Sequence, residues 1–180
     1  MQLRHVAIEN VRSFLERAEM SLPDNISILI GPNGGGKTNF LDTVVVVLRR
    51  YIFKAMYAAP NPQPDGREVF DFRENDQLSQ LQLPKHNAGE TTKQENSISI
   101  AVTKSDLENM SKMKAEAARL NELSKRQFRN FPLEATNVWD IEGLTAGSIH
   151  NYKIVDGILQ QSSIKSSLDF LQYLQLFEIY

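Results

Sequence analysis

Eight consecutive residues, from Gly31 to Thr38, have the types and spacing of a phosphate-binding loop. They read Gly-Pro-Asn-Gly-Gly-Gly-Lys-Thr and fit the pattern Gly, four residues, Gly-Lys-Ser/Thr. In such a loop the backbone N–H groups surround the phosphates, the lysine reaches the β- and γ-phosphates, and the hydroxyl ligates Mg²⁺. The pattern predicts that Lys37 contacts the phosphates as the catalytic lysine and that Thr38 holds the metal.

The segments on either side of this loop predict the elements that must position it. A buried strand is predicted before the loop from Ile26, Ile28, Leu29 and Ile30. A helix is predicted after it, ending near Tyr57, from the spacing of Phe40, Val44, Val47 and Tyr51. Strand, loop and helix suit the chemistry because a helix N-terminus carries partial positive charge. The alternative, a glycine-rich hairpin that merely contains Lys-Thr, is disfavoured because the loop motif and both flanking segments fit a phosphate-binding loop.

The predicted helix carries an unusual composition. Four β-branched residues, Val44 to Val47, favour a strand by propensity. The loop motif overrides this preference because its geometry continues directly into a helix. A segment that is apolar on nearly every side predicts a helix buried between a sheet and a second layer.

Composition limits the class of protein. The chain has 180 residues, 41% hydrophobic and 23% charged, with a formal net charge of −2. That balance fits one globular domain and excludes a uniformly basic nucleic-acid binder. The chain has no cysteine, which excludes disulfides and thiolate metal sites. No signal peptide or membrane-spanning run is apparent, so we predict a soluble, cytoplasmic protein.

Further strands and helices follow from periodicity. Strands are predicted over 2–10, 15–22 (antiparallel to the first) and 97–103, and a hairpin is predicted from 135–142 and 148–155. The last helix follows Ser162–Ser167 and presents Leu168, Leu171, Leu174 and Phe177. A helix over 105–130 is predicted to start at a capping box of Ser105 and Glu108. Its basic residues favour a solvated face over a phosphate-backbone contact.

We therefore predict a single lobe over 1–180. Residues 1–57 supply strands, loop and first helix, 58–96 form a mobile insertion, and 97–180 form a β-subdomain with an inserted helix over 105–130. Within the insertion, Glu68–Arg73 reads as a short strand and Asp76–Leu83 as a short helix. Asp71, Glu74 and Asp76 cluster there, but nothing supports a metal site. The histidines, His5, His86 and His150, are scattered singly and predict no ligand set.

Three segments resemble the ABC-type ATPase heads of the SMC, RecF and OLD-nuclease kind. Residues 3–14 are similar to that family's opening strand and its Asn-Phe-Arg-Ser-Phe turn, with Val11 in place of phenylalanine. Residues 31–42 resemble its phosphate-binding loop, including the Asn-Gly pair and the asparagine after the threonine. More loosely, residues 152–157 and the helix after them resemble the segment that precedes the family's Q-loop.

The resemblance implies an α/β fold: a P-loop NTPase core, ABC-ATPase-like, with an antiparallel β-subdomain and a helical insertion. It implies ATP and Mg²⁺ as cofactors and places Arg12 and Ser13 near the phosphates, where the guanidinium could pair with phosphate oxygens. The alternative for Arg12 is a surface turn arginine. The nucleotide-binding residues implied are Arg12, Ser13, Asn33, Gly34, Gly35, Gly36, Lys37, Thr38 and Asn39.

Hydrolysis in that family needs elements that this sequence does not provide clearly. Asp140 and Asp156 are the best candidates for the acid that ends a Walker B strand, but neither follows four apolar residues. Residues 144–148 faintly resemble the signature motif and read better as a turn. Gln160 and Gln161 precede the last helix, whereas the family's Q-loop glutamine follows it. We therefore predict an amino-terminal lobe that does not hydrolyse ATP by itself.

Three functions remain open at this stage. The first is the ATP-binding lobe of an SMC/RecF/OLD-like ATPase in DNA repair or phage defence, completed by a carboxy-terminal lobe or a second ATP-bound head. The second is a nucleotide-sensing interaction module that binds ATP without hydrolysis. The third, a small-molecule kinase, is disfavoured by the antiparallel strands before the loop. Homodimerisation and DNA contact are implied by the family alone, and no membrane contact is predicted.

Overall fold

The protein is described by a computed structural model over residues 1–54, 56–74, 81–87, 89, 92–129 and 136–176. Its strands are β1 (Gln2–Glu9), β2 (Ala18–Ser21), β3 (Met56–Pro62), β4 (Glu68–Glu74), β5 (Glu95–Ala101), β6 (Phe128–Arg129), β7 (Ile149–Val155) and β8 (Ile158–Leu159). Its helices are α1 (Lys37–Val47), α2 (Lys104–Gln127) and α3 (Lys165–Leu176). A π-helical turn, Leu48–Ile52, continues α1.

A five-stranded antiparallel sheet organises the domain in the order β2-β1-β5-β7-β8. Alternate residues of its central strands point to one face and are buried, which is the period expected of a half-buried strand. The helices cover that face. The core contains Val6, Ile8, Val47, Ile52, Ile98, Ile100, Met110, Met113, Tyr152, Ile154, Phe170 and Tyr173.

Helix α2 begins at Lys104, one residue before the predicted cap Ser105. Thr103 is the cap: its backbone N donates to Asp106 Oδ2 at 2.8 Å, and the Asp106 N donates to Thr103 Oγ1 at 3.3 Å. The Asp106 carboxylate also binds the Met1 ammonium at 2.6 Å and accepts from the Tyr173 hydroxyl at 3.1 Å. Burial opposes this carboxylate's charge, but the hydrogen bonds from Met1 and Thr103 outweigh it and lower the pKa of Asp106. The Ser105–Glu108 capping box was therefore a wrong prediction.

One side of α2 lies in the core. Met110, Met113 and Ala117 are at most 2% exposed, so the helix packs on the domain. The basic residues Lys112 and Arg119 are exposed, and Arg119 pairs with Glu116 at 2.6 Å. This mixture of charges matches the solvated face favoured from the sequence.

A second, three-stranded sheet lies in and beside the predicted insertion. Strands β3 and β4 form a hairpin, and β6 pairs in parallel with β4. The predicted strand Glu68–Arg73 is thus confirmed as β4. Most of the predicted helix Asp76–Leu83 falls outside the described residues, and its last three positions are not helical. The mobility of 58–96 and the division of the chain remain predictions.

The segment before the phosphate-binding loop differs most from prediction. No strand in the described part of the chain pairs with residues 26–30, and Ile26, Ile28 and Ile30 are 82%, 81% and 87% exposed. An extended segment becomes a strand only when a neighbour takes its backbone hydrogen bonds. The predicted buried strand is therefore wrong for the chain as it stands, although its sequence suits one.

Helix α1 forms where the loop motif requires it but ends earlier than predicted. It passes into the π-helical turn at Leu48 and does not reach Tyr57. Phe40, Val46 and Val47 are buried, whereas Leu41 and Val45 are about half exposed. One side of the helix therefore packs on the sheet and the other faces solvent, so the predicted second layer is absent among the described residues.

The predicted hairpin after α2 is only half correct. Strand β7 forms as predicted, but residues 136–138 are a short 3₁₀ turn, and Trp139 that follows is 1% exposed in the core. The Trp139 Nε1 donates to Gln172 Oε1 at 2.7 Å, and Lys114 Nζ donates to the Trp139 carbonyl at 2.6 Å. Burial of the large indole between α2 and α3 prevailed over the strand-like alternation.

None of the helices in the described ranges is long and apolar enough to cross a membrane.

Candidate functional site

The loop between residue 31 and α1 forms an open cradle. Gly34 and Gly36 have φ values of +80° and +79°, a region that side-chain-bearing residues rarely adopt. A Cβ on Gly36 would also lie 3.0 Å from Phe14 Cζ and 3.2 Å from Ser13 Oγ. The cradle has a volume of about 430 Å³ and opens to solvent; it is lined by Asn33, Gly34, Gly35, Gly36, Lys37, Thr38 and Asn39. These are the loop residues predicted from the sequence.

Lys37 is the first residue of α1, and its side chain turns back over the loop. Its Nζ donates to the carbonyl oxygens of Gly31 at 2.8 Å and Pro32 at 2.7 Å. The ammonium is thereby held at the mouth of the cradle, next to the helix N-terminus. Thr38 is exposed on the cradle wall, where its hydroxyl is accessible to a ligand. A cation and a helix N-terminus together favour an anion.

The turn at residues 12–14 packs directly against this loop. Asn39 Nδ2 donates to Ser13 Oγ at 3.0 Å. The Phe14 ring packs edge-on against Phe40, with centroids 6.1 Å apart. Ser13 thus lies beside the cradle, as the sequence resemblance implied, although its hydroxyl is engaged by Asn39.

Arg12 lies at the same turn and points along α1. Its Nη1 lies 3.3 Å from Asp42 Oδ2, and its buried Nε has no hydrogen-bond partner in the described part of the protein. The Arg12 side chain is 25% exposed and that of Asp42 is 51% exposed. An ion pair this exposed is worth less than about 1 kcal/mol, so it can exchange for a stronger anion. No motif in the sequence pointed to Asp42 as this partner.

A neighbouring segment, residues 81–87, contacts the turn from the other side. Arg12 N donates to the Pro84 carbonyl at 2.9 Å, and the Asn87 N donates to Asn10 Oδ1 at 2.7 Å. These contacts were not predicted, because the segment belongs to the polar insertion and carries no motif. Its place beside the site follows only from the fold.

The other candidates from the sequence lie in turns. The Asp140 carboxylate accepts from the Gly143 N at 2.9 Å, and residues 145–147 form a turn, as expected for the weak signature resemblance. The Asp156 carboxylate is engaged by Lys85 Nζ at 2.7 Å and by the Gln94 N at 3.0 Å, and the contact with Lys85 lowers its pKa. Asp140 follows a 3₁₀ turn and Trp139 rather than a strand, and Asp156 follows β7 but is held by Lys85 and Gln94.

Among the described residues no group of three or more histidine, aspartate or glutamate side chains could hold a metal ion. Of the acidic cluster in the insertion, Asp76 lies outside the described residues. Asp71 instead accepts from Asn61 Nδ2 at 2.8 Å across the β3–β4 hairpin.

Comparison with known protein families shows to which family the chain belongs. Residues 1–137 match the model of the AAA ATPase domain, which covers the loop, the Arg12 turn, β5 and α2. The chain belongs to the AAA ATPase domain family. This AAA ATPase domain therefore has the P-loop NTPase fold, and its mixed helices and antiparallel sheet agree with the predicted α/β class. Membership also places it in a family of nucleotide-binding ATPases.

A curated relative is the chromosome partition protein Smc of Rhodopirellula baltica. The two are 37% identical over 46 residues, which is 26% of this chain and 4% of the Smc chain. The AAA ATPase domain thus spans only a small part of that relative. Together with the family match, this similarity confirms the resemblance to SMC- and RecF-like ATPases.

The residues present fit the nucleotide and Mg²⁺ that the family implies. The cradle needs glycine at residues 34 and 36, because their backbone is left-handed and Gly36 also abuts Phe14. The orphaned Nε of Arg12 is a donor of the kind that an anion satisfies. Bound Mg²⁺ would neutralise phosphate charge, and Thr38 is the residue that would hold it.

Proposed function

We propose that this AAA ATPase domain binds Mg²⁺-ATP in the cradle of residues 31–39. The observation that carries this proposal is the docking of the Arg12–Phe14 turn against Gly36, Asn39 and Phe40. That contact sets Ser13 against the loop, whose lining includes Lys37 at the α1 N-terminus. Arg12, in the same turn and paired with Asp42 of α1, adds a second cation next to the loop. These positive groups and a glycine-lined surface suit a triphosphate better than a small neutral ligand.

Each residue of the cradle has a role in this proposal. The backbone N–H groups of Asn33, Gly34, Gly35 and Gly36 surround the phosphates. Lys37 exchanges its two carbonyl partners for phosphate oxygens, and Arg12 exchanges Asp42 for another. The hydrogen bond between Asn39 and Ser13 holds the turn of residues 12–14 against the loop. Thr38 ligates Mg²⁺, so phosphate and metal binding depend on adjacent residues.

Thr38→Val is expected to remove the magnesium dependence of ATP binding. The wild-type chain should bind ATP more tightly with Mg²⁺ than with EDTA, because the metal bridges the phosphates and the hydroxyl. Valine keeps the shape of the side chain without the oxygen, so the dissociation constant with Mg²⁺ should rise about tenfold, or about 1.4 kcal/mol. Isothermal titration calorimetry measures both values.

Thr145→Val is the matched control, because Thr145 lies in an exposed turn away from the cradle. It should bind Mg²⁺-ATP like the wild type. A wild-type chain that shows no nucleotide binding under any condition would contradict the proposed function.

We further propose that the domain is the nucleotide-binding lobe of an SMC/RecF/OLD-like ATPase. In this proposal a carboxy-terminal lobe or a second ATP-bound head completes hydrolysis, and DNA repair or phage defence is the setting. The similarity to Smc supports the class, and the DNA part rests on fold-level analogy. The exposed apolar residues support a covering partner: Ile26, Ile28 and Ile30 before the loop, and Leu41 and Val45 on α1.

Ile28→Asp is expected to reduce self-association of this chain. Alternating isoleucines on an unpaired extended segment favour pairing with another chain, and a charge among them opposes it. Sedimentation velocity should show the wild-type mass rising with concentration and with Mg²⁺-ATP, and the variant remaining a monomer. Ile158→Asp, at a site 66% exposed in β8, should behave like the wild type. Equal association of the two variants would rule out this segment as the interface.

The alternative is a nucleotide-sensing module that binds ATP and does not hydrolyse it. It is favoured by one observation: the candidate acids Asp140 and Asp156 are engaged in turns. Phosphate release distinguishes the two functions. Release that appears when a second head or lobe is supplied supports the ATPase, and binding without release under the same conditions supports the sensor.

A further inference from the structure

Asn10 and Arg12 have left-handed backbone conformations at the turn beside the cradle. The φ values of Asn10 and Arg12 are +52° and +51°, in the left-handed region. That region costs a residue with a side chain about 1–2 kcal/mol, so it persists only where surrounding contacts hold it. Asn10 is 2% exposed and Val11 is fully buried. Reciprocal backbone hydrogen bonds between Val11 and Phe14, of 2.9 and 2.8 Å, close the turn locally, and further contacts from outside it hold Asn10 and Arg12.

The segment of residues 81–87, here called the strap, supplies those contacts. The Arg12 N donates to the Pro84 carbonyl at 2.9 Å, and His86 Nδ1 lies 2.7 Å from the Arg12 carbonyl. A carbonyl oxygen only accepts, so Nδ1 carries the proton and donates. Both backbone polar groups of Arg12 are thus taken by the strap.

The strap also holds the residue two positions earlier. The Asn10 side chain donates to the Asn87 carbonyl at 3.0 Å and accepts from the Asn87 N at 2.7 Å. The His86 N donates to the Asn10 carbonyl at 3.3 Å. Asn10 and Arg12, the two residues with left-handed backbone, are therefore both hydrogen-bonded to the strap.

The strap is in turn anchored to the elements around the cradle. Arg50, in the π-helical turn that continues α1, donates from Nη1 to the Leu81 carbonyl at 2.6 Å. Gln94 Nε2 donates to the Leu83 carbonyl at 2.8 Å, and Lys85 pairs with Asp156 at 2.7 Å. The strap thus links the far end of the loop helix to the turn that presents Arg12 at its near end.

We propose that the strap positions Arg12 for the nucleotide, with His86 as the positioning residue. The inference rests on the proposed binding of Mg²⁺-ATP and adds a residue that nothing in the sequence singled out. His86 acts through the Arg12 carbonyl and does not touch the ligand. A partner that displaced the strap would release Arg12 and weaken triphosphate binding, so the insertion becomes a place where binding could be regulated.

His86→Leu is expected to weaken Mg²⁺-ATP binding about fivefold, which corresponds to about 1 kcal/mol for one hydrogen bond. His86→Asn keeps an N–H near the position of Nδ1 and should restore binding to within about twofold of the wild type. In an Arg12→Ala background, His86→Leu should cause no further loss, because the guanidinium that it positions is gone. His5→Leu, in β1, is the matched control and should bind normally.

Hydrogen exchange tests the strap without any nucleotide. The amides of Arg12 and Phe14 should exchange faster in His86→Leu and at the wild-type rate in His86→Asn, while those of α3 remain unchanged. A wild-type chain that binds no ATP refutes the proposed function, and the exchange rates still decide whether the strap holds the turn. Unchanged exchange, or a full fivefold loss that persists in the Arg12→Ala background, overturns this inference.

Discussion

Lys37→Ala should reduce Mg²⁺-ATP affinity by at least about 100-fold. Lys37 is the one cradle residue whose charge is held at the opening by two carbonyl contacts, of 2.8 Å to Gly31 and 2.7 Å to Pro32. Hydrogen bonds to charged groups are worth about 1.5–3 kcal/mol each, and tenfold in affinity corresponds to about 1.4 kcal/mol. Losing the bonds of one ammonium to two phosphates therefore accounts for the expected loss, which calorimetry can measure.

The same substitution should leave the fold almost intact. The carbonyl partners of Lys37 lie in an exposed loop, so the free energy of unfolding should change by less than about 1 kcal/mol. Lys104→Ala removes an exposed lysine at the start of α2, also at a helix N-terminus, and serves as the charge-matched control. Equal ATP affinity in Lys37→Ala and Lys104→Ala would show that the cradle is not the nucleotide site.

Trp139→Ala should have the largest effect on stability, lowering the free energy of unfolding by about 3–5 kcal/mol. Trp139 is 1% exposed, packs edge-on against Tyr173 with centroids 6.2 Å apart, and donates to Gln172. Alanine removes the indole and leaves a cavity between α2 and α3. The total free energy of unfolding of a small domain is only about 5–15 kcal/mol, so this substitution would remove a large share of the stability.

Urea unfolding followed by circular dichroism measures this change. Trp139→Phe keeps much of the packing and loses the bond to Gln172, so its cost should be smaller than that of alanine. The neighbouring Val138 is 69% exposed, and Val138→Ala should cost less than about 0.5 kcal/mol. A similar loss in the two alanine variants would contradict the placement of Trp139 in the core and revive the predicted strand there.

Much of the site could be read from the sequence because its determinants are local. The glycines at residues 34 and 36 are required by their left-handed backbone, and Lys37 and Thr38 follow at fixed offsets in the first turn of α1. Short-range geometry of this kind does not depend on the rest of the chain. The strands β5 and β7 were also predictable, because one buried face gives each a period of two.

The sequence misled where local propensity and tertiary pairing disagree. Residues 26–30 alternate like a strand, but a strand needs a neighbour, and none of the described residues provides one. Residues 135–142 also looked like a strand, but burying Trp139 between two helices stabilises a turn instead. Periodicity indicates which side chains would be buried if an element formed. It does not indicate whether a neighbouring strand or helix is present to pack or pair with that element.

The sequence by itself determined the phosphate-binding loop, the helix after it and the membership of an ATPase class, because residue type at fixed spacing specifies that backbone. Only the tertiary structure decided what surrounds the loop: Asp42 beside Arg12, Phe14 against Gly36, and His86 on the Arg12 carbonyl. His86 and Arg12 are 74 residues apart, and their contact depends on how the insertion returns to β5. No local pattern encodes such a contact, because it arises from chain path and packing rather than from spacing.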